Sequence, residues 1–140
     1  MNEINTARFR QWELFVTSKD PELLSPLIAE DIMFSSPFYW KPQPGAEYAR
    51  ILLNNICQVF EEFTYHRRWM DGDNWALEFH AHALGMELKG IDLMRWNSDD
   101  QLIDFEVMVR PMNALSALGE EMRARISAQL QAPTGRPVST

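Results

Sequence analysis

The amino-acid sequence predicts an α+β fold in which an antiparallel sheet packs against helices on one side. Two observations carry that expectation. Up to Phe60 the apolar residues recur at three- and four-residue intervals, the period of an amphipathic helix; beyond it they alternate, the period of a half-buried strand. Four alternating runs then follow one another with only short turns between them, and one helical stretch closes the chain. Helices first and an uninterrupted meander afterwards make a segregated order, not alternating βαβ units. Such a sheet buries one face and leaves the other free.

Each element has its own signal. Ile4, Ala7, Phe9, Trp12, Phe15 and Val16 form the apolar stripe of a first helix. Asp20 and Pro21 are the N-cap and first residue of a second, striped by Leu23, Leu24, Leu27 and Ile28. Pro26 lies inside that stretch and makes the helix short or kinked. Ile32, Met33 and Phe34 read as a brief strand, ended by Ser35-Ser36-Pro37. The segment from Pro37 to Gly45 is a loop by its prolines and glycine, unusual in carrying Phe38, Tyr39 and Trp40. Helical spacing returns from Ala46 to Phe60 through Tyr48, Ile51, Leu52, Ile56 and Val59. The strand runs are Phe63–Met70, Trp75–Leu84, Met86–Trp96 and Leu102–Val109. Asp71-Gly72-Asp73-Asn74, Gly85 and Asn97-Ser98-Asp99-Asp100 separate them at hairpin lengths. Pro111 opens the last helix, Met112 to Leu130, whose apolar face is Leu115, Leu118, Met122 and Ile126.

A chain of 140 residues is the size of one domain, placed here over 1–131, with 132–140 as a flexible tail containing two prolines and a glycine. At 46% hydrophobic and 24% charged residues the composition is that of a globular protein. A net charge of −7 disfavours binding to nucleic acid or to an anionic membrane surface, both of which need a basic face. Cys57 is the lone cysteine, which rules out an intrachain disulfide and a cysteine zinc cluster. The first residues lack the order of a signal peptide, and no apolar run approaches the roughly 18 residues of a membrane span. The expectation is a cytoplasmic protein.

Strand parity sorts the side chains into two faces. Trp75, Leu77, Phe79 and Ala81 oppose Ala76, Glu78, His80 and His82; Phe105, Val107 and Val109 oppose Asp104, Glu106, Met108 and Arg110. The apolar sets point at the helices. In the third long strand Ile91, Leu93 and Arg95 alternate with Asp92, Met94 and Trp96, and each set holds two apolar residues and one charge. Periodicity leaves both orientations of Asp92 open. Facing inward, its carboxyl would sit in an apolar enclosure, where ionisation is costly and the pKa rises.

The run Ile91-Asp92-Leu93-Met94-Arg95-Trp96-Asn97 resembles the Ile-Asp-x-x-Arg-Phe-Asn stretch of bacterial ketosteroid isomerases. Glu30-Asp31, Ser36-Pro37 and a Gly45-led helix stand upstream in matching order. More broadly the chain is similar to the nuclear transport factor 2-like superfamily, and Phe105-Glu106-Val107-Met108-Val109-Arg110-Pro111 with Asn113-Ala114-Leu115 resembles a SnoaL-like branch of it. The resemblance implies a cystatin-like α+β roll: a curved sheet wrapped against helices into a cone with an internal pocket. It places Asp92 at the position of the isomerases' protonated acid, and so inward. In those enzymes that acid works with a first-helix tyrosine and with an aspartate base before a proline, a constellation that is one of the standard worked cases of pKa tuning. Here the two matching positions hold Trp12 and Ser36, so one group of three remains. The inward acidic position on the last strand of the epoxide-hydrolase-like and cyclase relatives is Val107.

The expected function is therefore binding of a small, largely apolar molecule, with cofactor-free isomerase-, hydratase- or cyclase-like turnover at Asp92. The alternative is a non-catalytic assembly module of the same fold. The expected ligand-binding residues are Trp12, Ser36, Phe38, Trp40, Leu52, Leu77, Phe79, Met94, Phe105, Val107 and Val109. No cofactor and no metal are expected, because Glu78, His80 and His82 have spacing for one strand face but fix no fourth ligand. The mixed outer face is expected to make the protein a homodimer.

Overall fold

The computed structural model describes residues 2–131; the expected tail, 132–140, lies outside them. Helix α1 spans Glu3–Ser18, with the Asn2 carboxamide accepting from the Asn5 amide at 2.7 Å as its N-cap. Lys19 ends it in the left-handed region, its N–H donating to the Phe15 carbonyl. Helix α2 is a single turn, Pro21–Leu24, capped by Asp20. A 3₁₀ turn over Ser25–Leu27 follows, and β1 runs from Ile28 to Ser35. Leu27 and Ile28 thus leave the second helix where Pro26 breaks its hydrogen bonding, and the first strand is longer than the three residues expected. A two-residue strand β2, Gln43–Pro44, lies within the segment expected to be loop. Next come α3 (Ala46–Val59), β3 (Glu61–Asp71), β4 (Asn74–Ala83), β5 (Met86–Trp96), β6 (Leu102–Arg110) and α4 (Met112–Gln131).

The six strands form one sheet in the order β2-β1-β6-β5-β4-β3. The meander β3 to β6 is antiparallel throughout, as its short turns require. Strand β1 departs from the expected antiparallel arrangement: it joins β6 in parallel, with Phe34 beside Phe105. A parallel pair needs a long crossover, and here everything from α3 through β5 supplies it. A register shift between Tyr65 and Arg68 sets three steps of β3 against two of β4, since Tyr65 pairs with Phe79 and Arg68 with Leu77. That bulge lets residues of unlike parity share the inner face.

Helix α1 is pinned to the sheet by Arg8, which is 5% exposed. Its Nη1 donates to Asp73 Oδ1 and its Nε to Asp100 Oδ1, both at 2.8 Å, and its guanidinium lies over the Trp96 ring. One buried cation thereby ties two separate turns of the meander to the first helix. Asn55 of α3 and Gln129 of α4 exchange amide hydrogen bonds of 3.0 and 2.8 Å, which tie α4 to α3.

Candidate functional site

The inner face of the sheet and the helices enclose a cavity. Helix α1 contributes Trp12 and Val16, and α3 contributes Leu52, Leu53, Ile56 and Cys57. The strands add Phe34, Phe63, Tyr65, Phe79, Asp92, Phe105 and Val107. Phe60, the Ser36-Pro37-Phe38 turn and Met122 of α4 complete the wall. Its space totals about 480 Å³ including the mouth, of which about 30 Å³ is water-accessible, room for one or two waters. No lysine or arginine lines it among the described residues.

Asp92 is on this inner face, 5% exposed, cross-strand from Leu77 on one side and Val107 on the other. Ile91 and Leu93 of the same strand are half-buried on the opposite face, and Arg95 is exposed. The Tyr65 hydroxyl donates to Asp92 Oδ2 at 2.7 Å, and the Trp12 indole N–H donates to Tyr65 Oη at 2.7 Å. The direction of this chain is set by chemistry. An indole nitrogen only donates, so Tyr65 accepts from Trp12 and sends its own proton to the carboxyl group. Oδ2 is occupied as an acceptor, and Oδ1 has no protein hydrogen bond among the described residues. A proton on Asp92 therefore belongs on Oδ1.

Burial pushes the Asp92 pKa up from 3.8 to about 7, with the Tyr65 hydrogen bond opposing the rise. The same burial, with the negative charge of Asp92 nearby, raises the Tyr65 hydroxyl well above its ordinary value and keeps it a donor. Cys57 is pushed up to about 12 by burial first and by Asp92 second, so its thiol is not a nucleophile at neutral pH.

Of the residues expected around the ligand, Trp12, Ser36, Phe38, Leu52, Phe79, Asp92, Phe105 and Val107 line the cavity. Four do not. Trp40 is 98% exposed and forms no part of the wall. Leu77 and Met94 are buried on the inner face outside the cavity wall, toward the end of the sheet filled by Phe9, Trp75 and Trp96. Val109 is half-buried, beyond the cavity at the outer end of β6. Parity assigns a face to each strand residue, but how far along the strand the cavity reaches depends on how the helices fill the rest. Tyr65 was absent from the expected set because the bulge in β3 hides its parity. The one available signal was its alternation with Phe63.

On the outer face Glu78 is nearly inaccessible, held by Arg67 at 2.6 and 2.9 Å and by Lys89 at 2.9 Å. These cations keep its carboxyl well below the usual range. His80 packs against His66 with ring centroids 4.1 Å apart and the planes tilted by 44°, while His82 lies between Glu62 at 2.9 Å and Glu87 at 3.3 Å. The three residues share a face yet are engaged by separate partners.

No protein-family model matches this sequence, and no curated protein matches it. Solved structures do. A steroid delta-isomerase from Pseudomonas aeruginosa is 41% identical, over 93% of this chain and 96% of its own, with a TM-score of 0.85. The chain belongs to the NTF2-like superfamily. An uncharacterised protein with a cystatin-like fold from Silicibacter pomeroyi DSS-3 is 34% identical, over 85% of this chain and 84% of its own, with a TM-score of 0.80. An NTF2-like protein of unknown function from Mesorhizobium loti shares the fold, at 19% identity over 78% of this chain and 93% of its own and a TM-score of 0.68. Among the described residues of this NTF2-like chain, no helix is long and apolar enough to cross a membrane.

Proposed function

We propose that the protein binds a small, largely apolar molecule bearing one carbonyl, hydroxyl or epoxide oxygen, and moves a proton on it with Asp92. The observation that carries this reading is a single carboxyl group in an apolar wall, anchored through Oδ2 and unpartnered at Oδ1. Its pKa of about 7 populates both protonation states near neutrality, the condition a general acid or base needs. In the acid form Oδ1–H donates to the ligand oxygen and transfers its proton; the carboxylate left behind is held by the Tyr65 hydroxyl and recovers a proton from ligand carbon or from water. Such a cycle is an isomerisation or a hydration and consumes no cofactor. Similarity to a steroid delta-isomerase supports the isomerase class, whereas Ser36 and Trp12 supply no second carboxylate base. The reaction proposed is accordingly one that a single carboxyl group completes.

The test uses 2-naphthol, an apolar phenol. Its addition should shift the carbon NMR signal of the Asp92 carboxyl group and move its titration midpoint, with saturation in the micromolar to millimolar range. No shift at saturating solubility would favour the second reading, an assembly module, which the water-accessible space of only about 30 Å³ supports.

We also propose that the protein is a homodimer through the outer sheet face. Trp69 and Met108 are about half exposed there, beside the Arg67–Glu78–Lys89 ion pairs, a mixture of apolar and charged groups typical of interfaces. Sedimentation at tens of micromolar, about the level a stable interface of standard size withstands, should give the dimer mass. A monomer under those conditions would remove the proposal.

A further inference from the structure

The inner cavity shares part of its wall with a second concavity on the outside. Ser36, Pro37, Phe38 and Val107 belong to both. The outer groove has about 590 Å³ of water-accessible space against about 30 Å³ inside, so the two differ greatly in capacity. Tyr39 and Trp40 border it, and Trp40, at 98% exposure, has almost no protein packing. Phe38 is half-buried in the shared wall, in a turn where its own N–H donates to Ser36 Oγ at 3.3 Å. Its ring rests on Gly119 of α4, where a Cβ would stand 3.2 Å from Cδ1. Phe38 thus lines both spaces, and its ring packs on a residue that has no side chain. Glu106 is the one charged side chain lining the groove, and no lysine or arginine does so among the described residues.

We propose that the inner cavity and the outer groove are two halves of one ligand channel gated by Phe38, and that the channel takes an elongated apolar molecule with an uncharged or cationic outer end. This rests on the reading of the inner cavity as a ligand site. A molecule too long for the inner space displaces the Phe38 ring, enters toward Asp92 and leaves its outer part along Trp40. An anionic outer end meets Glu106 without a compensating cation, so carboxylates, sulfonates and phosphates are disfavoured there. The inference follows from continuity of the two walls and from the unpacked indole at the outer end.

A matched pair of fluorescent probes tests it: N-phenyl-1-naphthylamine, and 8-anilino-1-naphthalenesulfonate, which carries a sulfonate on the same skeleton. Stopped-flow mixing with the amine should show Phe38→Ala accelerating association at least tenfold, with a smaller acceleration in Phe38→Leu, which retains more bulk. Trp40→Ala should weaken the amine about fivefold. The sulfonate should bind the unaltered protein at least tenfold more weakly, and Glu106→Gln should narrow that gap. Unchanged association rates in both Phe38 variants, or no effect of Trp40→Ala, would overturn the channel. So would a Trp40→Ala variant that separates dimers without altering probe binding, because the groove would then seat a second copy. A gap that survives Glu106→Gln would overturn the charge preference. Failure of the inner site itself is distinguishable, since 2-naphthol would then leave the Asp92 carboxyl signal unmoved. A naphthol shift with neutral Phe38 and Trp40 variants would sink the channel alone.

Discussion

Gly90→Ala should destabilise the fold by about 3 kcal/mol, near the upper end of the cost of overpacking a core. A Cβ at that position would stand too close to two groups that have little freedom to move: the Met108 carbonyl oxygen and Cζ of the Phe79 ring, with Phe79 Cε2 at 2.8 Å. The carbonyl is part of the β5–β6 ladder, where Gly90 pairs with Val109, so relieving the clash means parting two strands. Moving Phe79 instead disturbs a ring that stacks on Phe63 at 5.0 Å and forms part of the cavity wall. The absent side chain is thus what allows Phe79 to lie flat across β5, a close approach of the kind that marks strand glycines. Urea unfolding measures the effect. A cost below about 1 kcal/mol would mean the ring is free to rotate away, and the cavity wall would then be softer than described.

Asp92→Asn should stabilise the protein above neutral pH, by about 2 kcal/mol at pH 8. A carboxyl group whose pKa rises from 3.8 unfolded to about 7 folded binds its proton more tightly in the folded state. Its penalty is absent below about pH 4, grows as pH rises, and is complete above pH 7. Each tenfold difference in proton affinity is worth about 1.36 kcal/mol, so the full loss is about 4 kcal/mol. Asparagine escapes that loss and still accepts from Tyr65, but its amide N–H groups meet an apolar wall, which takes back part of the gain. Unaltered protein should therefore lose stability between pH 4 and 7, and the variant should lose much less. Tyr65→Phe should shift the Asp92 midpoint upward by about one pH unit, because it removes the hydrogen bond that favours the ionised form. If the pH dependence of unaltered protein and Asp92→Asn coincide, Asp92 is not the titrating group in this window.

These two expectations differ in how far they could be read before the fold was known. Asp92 was visible as a candidate, first through the Ile91–Asn97 resemblance and not through periodicity, since each face of that strand carries two apolar residues and one charge. Gly90 gave no signal at all. Nothing local distinguishes it from a glycine in a loose strand, because what it accommodates is an aromatic ring from a neighbouring strand.

Alternation along Trp75–Leu84 and Leu102–Val109, and the helical period before Phe60, determined by themselves the element order, the antiparallel meander and the face buried in each of those strands. Those are properties of neighbours in sequence, and side-chain direction follows directly from helix and strand geometry. Only the tertiary structure decided that β1 lies parallel to β6, that Leu77 and Met94 fall outside the cavity, and that Tyr65 stands between Trp12 and Asp92. Each depends on residues far apart in the chain meeting in space. The β3 bulge shows the limit most directly, since one inserted residue places Tyr65 and Arg68 on a face that strict alternation would not give both. The proton chain at the site exists because a helix, a bulged strand and a buried carboxyl group converge, and packing alone brings those three together.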